Sequence, residues 1–173
     1  MDKINQLNTL DQIDNAKASS PETPLLERRR IEAEIIKPIY QILKERLGET
    51  EAKETVGLAI KQVARATGQK LAQDLGGTLA NLIALQPMWG KGGALKVKIL
   101  TQDDERFDYD VIHCAYAELY QQMGLKDLGF ILSCERDGAF IEGFAPDIEL
   151  TRTQTLMTGG SCCDFRYRLN NRG

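Results

Sequence analysis

Histidine occurs once in these 173 residues and cysteine only four times. The cysteines are Cys114, Cys134, Cys162 and Cys163; they form no Cys-x-x-Cys pair and no zinc-ribbon spacing. Long apolar runs are missing too: nothing approaches the ~20 residues that span a bilayer. The opening MDKINQLNTLDQIDNAKASS lacks the apolar stretch of an export signal. A cytoplasmic location with reduced thiols is therefore expected. There is no excess of positive charge. Lys and Arg number 22 against 25 Asp and Glu, a net charge of -3. Such a balance gives no general attraction to nucleic acid or anionic membranes. The GxxxxGK[ST] spacing of a phosphate loop is absent around MWGKGG, which reads as a flexible loop.

What is present is patterned. Residues 1–20 are polar and read as a flexible arm. Residues 21–173 are long enough to be one domain with a substantial core. Ile31, Ile35, Ile39, Ile42, Leu43 and Leu47 recur at helical spacing, and Pro38 predicts a kink or a restart. Gly48 ends that helix. A second helix is expected from Thr50 as N-cap, with an inner stripe of Val56, Ile60, Val63, Thr67, Leu71 and Leu75. Gly76-Gly77 breaks it, and a third helix through Leu79, Leu82 and Ile83 ends at Pro87.

From Leu95 the period becomes two. Leu95, Val97 and Ile99, then Phe107, Tyr109 and Val111, alternate with polar residues around TQDDE, which predicts a hairpin with a five-residue loop. A helix is expected over His113–Met123, another over Leu125–Leu132 ending near Cys134, and a short one over Asp137–Phe144. The Thr-rich stretch Ile148–Met157 predicts a strand. After the turn at Thr158-Gly159-Gly160-Ser161, Cys163, Phe165, Tyr167 and Leu169 alternate in the last one. The order implies an α+β fold: N-terminal helices packed on an antiparallel β-sheet, with a C-terminal β-hairpin.

The C-terminal third carries a distinctive ordered set: Tyr116 through Tyr120, Leu128-Gly129, Cys134 with Asp137, Gly143-Phe144, Thr153 with Thr155, and Cys163-Asp164-Phe165-Arg166. Spread over 114–167, it resembles the signature of the L-2-amino-thiazoline-4-carboxylic acid hydrolase family. Members of that family often carry His just before the Cys-Asp-Phe-Arg run, where this chain has Cys162. More loosely, a strand, a glycine turn and Cys-(Asp/Glu)-Phe are similar to 4-vinyl-reductase-type small-molecule-binding domains, relatives of Golgi transport-particle subunits. Some sensor members of that group hold zinc through a second Cys eight residues before the closing one. That position is Thr155 here, so no metal site is expected.

The resemblance implies hydrolysis of a cyclic amidine carbon with loss of a C–S bond. Water must lose a proton as it attacks, the leaving sulfur must gain one, and a substrate carboxylate needs a cation. No cofactor is called for. Asp137 and Glu142 are candidate bases, since partial burial raises a carboxyl pKa; capping or surface charge is the plain alternative. Cys134 and Cys163 are candidate nucleophiles if a neighbour lowers their pKa; otherwise buried Cys is a small hydrophobe. His113 is suited to proton transfer, or to a capping or surface position. Arg152 and Arg166 could grip a carboxylate bidentately, or pair across strands as Arg168 could. Thr153 and Thr155 could offer hydroxyls to a ligand.

The expected function is cofactor-independent opening of a small thiazoline-type or cyclic amidine substrate at a C–S or C–N bond. The alternative is a non-catalytic small-molecule-binding or sensor domain. A third reading is an assembly partner acting through the helical stripes. The expected partners are a small molecule and, for any reading, a second copy in a homodimer; neither nucleic acid nor membrane is expected.

Overall fold

The computed structural model describes residues 23–170. The arm expected over 1–20 lies outside the described residues. Two long helices come first, α1 (Leu25–Leu47) and α2 (Glu49–Leu75), joined at Gly48, whose φ of 88° only glycine adopts without strain. Helix α3 (Leu79–Leu85) follows, capped by Thr78, whose hydroxyl accepts from the Asn81 amide at 3.2 Å. Next come the helical turn α4 (Pro87–Gly90) and a 3₁₀ turn, Lys91–Gly93. Strands β1 (Leu95–Gln102) and β2 (Arg106–Cys114) form the first hairpin, and α5 (Ala115–Gln122) leaves it. Helix α6 (Lys126–Gly129) runs through a π-helical stretch, Phe130–Cys134, into α7 (Glu135–Phe144). Strand β3 (Ile148–Thr151), a 3₁₀ turn (Leu156–Thr158) and β4 (Cys163–Leu169) end the fold.

The strands make one antiparallel sheet in the order β1-β2-β4-β3. The sequence-derived α+β class, helices on an antiparallel sheet with a closing hairpin, is the class observed. Phe107 pairs with Tyr167, Tyr109 with Phe165 and Val111 with Cys163. Because successive side chains alternate, these six share one face, and all are buried. The rings of Tyr109 and Phe165 stack at 4.8 Å. The other face carries Arg168 on Asp108 and Arg166 on Asp110, so the charged positions of β2 and β4 neutralise one another.

Several local expectations give way. Pro38 lies within α1, which runs as one helix over its 23 residues with the proline exposed. Helix α2 starts at Glu49, with Gly48 rather than Thr50 as its cap. Val63 and Leu75 are exposed, and the buried stripe is instead Ala52, Val56, Gly57, Ile60, Ala64 and Gly68. Small residues are selected because α7 crosses there backbone to backbone. A Cβ on Gly68 would strike the Phe140 carbonyl oxygen, and one on Gly143 would strike that of Arg65. Pro87 opens a helical turn instead of only ending one, so MWGKGG is largely helical. The hairpin loop is Asp103–Glu105, and His113 and Cys114 belong to β2, not to the next helix. The strand expected over Ile148–Met157 stops at Thr151. Beyond it the Thr153 and Gln154 amides bond to the Asp164 carboxylate, not to a neighbouring strand.

Gly143→Ala and Gly68→Ala should each destabilise the protein by about 1–3 kcal/mol, because the obstructing atoms are backbone and cannot step aside. Gly138→Ala, on the same helix α7 but with open space at its Cβ, should be neutral or stabilise by up to about 1 kcal/mol. Urea unfolding of the three variants measures both signs.

Candidate functional site

The helical layer does not close fully on the aromatic face of the sheet. A cavity of about 700 Å³ remains. Its floor is Phe107, Tyr109, Phe165 and Tyr167, and its opposite wall includes Leu71 of α2, Trp89 of α4 and Phe140 of α7. Trp89 meets Phe140 edge-on at 5.4 Å. Arg28 and Arg29 of α1, Lys70 of α2 and Lys91 add charge, and Arg28, Lys70 and Lys91 are exposed at the rim.

Two charged side chains lie at the deep end. Arg152 donates from one Nη to Asp137 at 2.5 Å and from the other to the Cys134 carbonyl at 2.8 Å. Its guanidinium also sits 5.0 Å from the centre of the Phe165 ring. Each Nη thereby makes one hydrogen bond to the protein. Burial raises the pKa of Asp137 above the ordinary aspartate range, against the pull of Arg152. Asp137 still keeps 29% of its side-chain surface open and is among the residues that line the cavity. A second ion cluster stands beside the first. Glu32 accepts from Arg29 at 2.8 Å and from Arg136 at 2.7 Å, linking α1 to α7. The π-helical stretch that ends at Cys134 widens the turn leading into α7.

Three thiols line the same space, those of Cys114, Cys134 and Cys163. Burial pushes Cys134 up to about 12 and Cys163 up to about 11, and raises Cys114 as well. Each is a protonated thiol at neutral pH. Cys163 accepts a hydrogen bond from the Leu156 amide at 3.2 Å. Among the described residues no group of three His, Cys, Asp or Glu side chains is arranged to hold a metal ion.

Of the residues singled out from sequence, the cavity brings together Cys134, Asp137, Arg152 and Cys163. Five others lie elsewhere. Glu142 is exposed and paired with Arg65. His113 is on the surface, its Nδ1 3.3 Å from Glu118. Arg166 is on the outer face of the sheet, bound to Asp110 at 2.8 Å and to the Tyr109 carbonyl at 3.0 Å. Thr153 donates its hydroxyl to Asp164 at 2.6 Å, and Thr155 caps the turn at Thr158. With Glu142, these two threonines line a separate, shallower depression that shares only Cys134 and Arg152 with the main cavity.

Sequence reasoning missed the cationic rim and the wall residues Trp89 and Phe140. The run ERRR reads as a solvated face, yet its Arg29 turns inward to Glu32, which also binds Arg136, 104 residues away in sequence. The one available signal was MWGKGG, where a Trp stands inside an otherwise loop-like segment.

The motif residue Asp164 holds the segment that follows β3. Burial would raise its pKa, but bonds from the Thr153 hydroxyl and the Thr153 and Gln154 amides outweigh it and hold the carboxyl below its usual range. A depressed carboxyl stabilises the fold above its unfolded-state pKa, about 3.9, and that stability is lost as pH falls through the folded value. Asp164→Asn should therefore cost about 1–3 kcal/mol at pH 7 and progressively less toward pH 3. Urea midpoints of the two proteins across that range test this; a difference independent of pH would contradict it.

The sequence model of the L-2-amino-thiazoline-4-carboxylic acid hydrolase family matches residues 28–167, and the chain belongs to that family. Comparison with curated proteins found no match. Among solved structures, a similar chain is described as the "phenol-responsive sensory domain of the transcription activator PoxR with Phenol". It is 13% identical, with 79% of this chain and 73% of that chain covered and a TM-score of 0.48. Among the described residues no helix is long and apolar enough to cross a membrane.

Proposed function

We propose that this member of the thiazoline-carboxylate hydrolase family opens a cyclic amidine of the thiazoline type by hydrolysis, without a cofactor, in the cavity between the aromatic sheet face and α7. One observation carries the reading. Asp137, a carboxylate of raised pKa, lines a cavity whose other charged groups are six cations and the single carboxylate Glu32. The chain as a whole is acidic, so this cationic lining is a local arrangement, and it suits a substrate bearing a carboxylate.

Asp137 acts as general base. It takes a proton from water as the oxygen attacks the carbon between sulfur and nitrogen. The C–S bond then breaks as the new hydroxyl becomes the urea carbonyl and its proton goes to the ring nitrogen, while the proton held by Asp137 passes to the departing sulfur. The ring becomes an open chain with a urea at one end and a free thiol at the other, with one water consumed. Arg152 is a positioning residue: anchored by one Nη on the Cys134 carbonyl, it donates from the other to Asp137 and so orients the base. The substrate carboxylate falls to the other cations lining the cavity. With pKa values near 12 and 11, Cys134 and Cys163 serve as wall, not as attacking thiolates.

The non-catalytic binding module has one observation in its favour: much of the lining is aromatic or aliphatic. Turnover separates the two. Purified protein incubated with 2-amino-thiazoline-4-carboxylate and related cyclic amidines should release thiol above the blank set by its own cysteines. Asp137→Asn should lower kcat by about 10²–10⁴-fold while still binding the ring. A folded protein that turns over nothing in the panel is a binding module and not a hydrolase.

A further inference from the structure

The cavity is several times larger than the proposed reaction needs. An apolar cavity of about 150 Å³ already holds one benzene ring, whereas this one measures about 700 Å³, within the range of about 300–1,000 Å³ that takes whole drug-sized ligands. The extra room has a definite chemistry. The reacting carboxylate is Asp137, oriented by Arg152, and the remaining charged groups of the lining are five cations and Glu32. The floor is four aromatic rings from β2 and β4, and Trp89 and Phe140 face it from the helical side. Space between such surfaces favours a flat apolar group, because aromatic pairs add about 0.5–1.5 kcal/mol to plain burial.

We propose that the substrate is a carboxylate-bearing heterocycle carrying an aryl substituent. The inference rests on the hydrolase reading for its reacting ring and goes beyond it in naming the larger part of the ligand. The ring reaches Asp137, the aryl group lies between Phe165 and Tyr109 on one side and Trp89 and Phe140 on the other, and the carboxylate meets the lining cations. A small thiazoline-carboxylate would fill only a fraction of this space and leave the aromatic surfaces wet.

The test uses two unreactive probes, thiazole-4-carboxylate and 2-phenylthiazole-4-carboxylate, with dissociation constants measured by calorimetry. Trp89 is the only tryptophan in the chain, so its fluorescence reports whether the cavity is the place of binding. The phenyl probe should bind roughly ten- to a hundredfold more tightly than its parent, the return expected on burying one ring, and should perturb Trp89 emission. Leu71→Phe, which narrows the wall, should weaken the phenyl probe more than the parent. Equal affinities, weaker binding of the phenyl probe, binding that leaves Trp89 emission unchanged, or no binding of either would overturn the proposal. Turnover is scored apart. A protein that hydrolyses the bare thiazoline while the phenyl group adds nothing keeps the hydrolase reading and loses this one. A protein that prefers the phenyl probe but opens no ring does the reverse.

Discussion

Asp137 and Arg152 are charges that neither helix nor sheet could bury alone. Removing one partner of such a pair strands the other, at a cost of about 3–5 kcal/mol. Their 2.5 Å contact ties α7 to the segment that follows β3, and the second arm of the guanidinium holds the Cys134 carbonyl. The surrounding architecture makes room for this pair. The π-helical turn offsets α7 just ahead of it, and the ladder of β3 ends at Thr151, one residue before Arg152. Asp164 then takes up the backbone amides that the ladder gives up.

Cavity shape follows from a second constraint. Helices α2 and α7 approach backbone to backbone at Gly68 and Gly143 where they cross, so the helical layer is anchored close at one place. Toward Trp89 and α4 the layer is filled by larger side chains, and space is left above the aromatic floor. A tight crossing and an open slot are thus two parts of one arrangement. The same helix α7 supplies Gly143 to the crossing and Asp137 to the slot.

Much of this was legible in the chain. Alternation at Phe107, Tyr109 and Val111 and at Cys163, Phe165 and Tyr167 named the buried sheet face residue by residue. The ordered motifs pointed to the family and to the segment that holds Asp137 and Arg152. Other parts were hidden for physical reasons. Periodicity read from large apolar residues chose Val63 and Leu75 on α2, but a close crossing is made by residues with little or no side chain. A π-helical turn changes which carbonyl an amide reaches and leaves no mark in composition. Threonine propensity extended the strand to Met157, and only the fold reveals that Asp164 competes for those amides. The inward turn of Arg29 was hidden because Arg136, which shares its partner Glu32, is remote in sequence.

The account stands on Asp137 as a base whose proton affinity burial has raised. The most direct measurement is kcat/KM of thiazoline-ring opening as a function of pH. Ionised carboxylate is the active form, so the rate should fall on the acid side through an apparent pKa above the ordinary aspartate value of about 3.9. Arg152→Lys, which loosens the pairing that favours ionisation, should move that limb to higher pH. A profile flat down to pH 4, or an acid limb unmoved by Arg152→Lys and still present in the residual activity of Asp137→Asn, would contradict it.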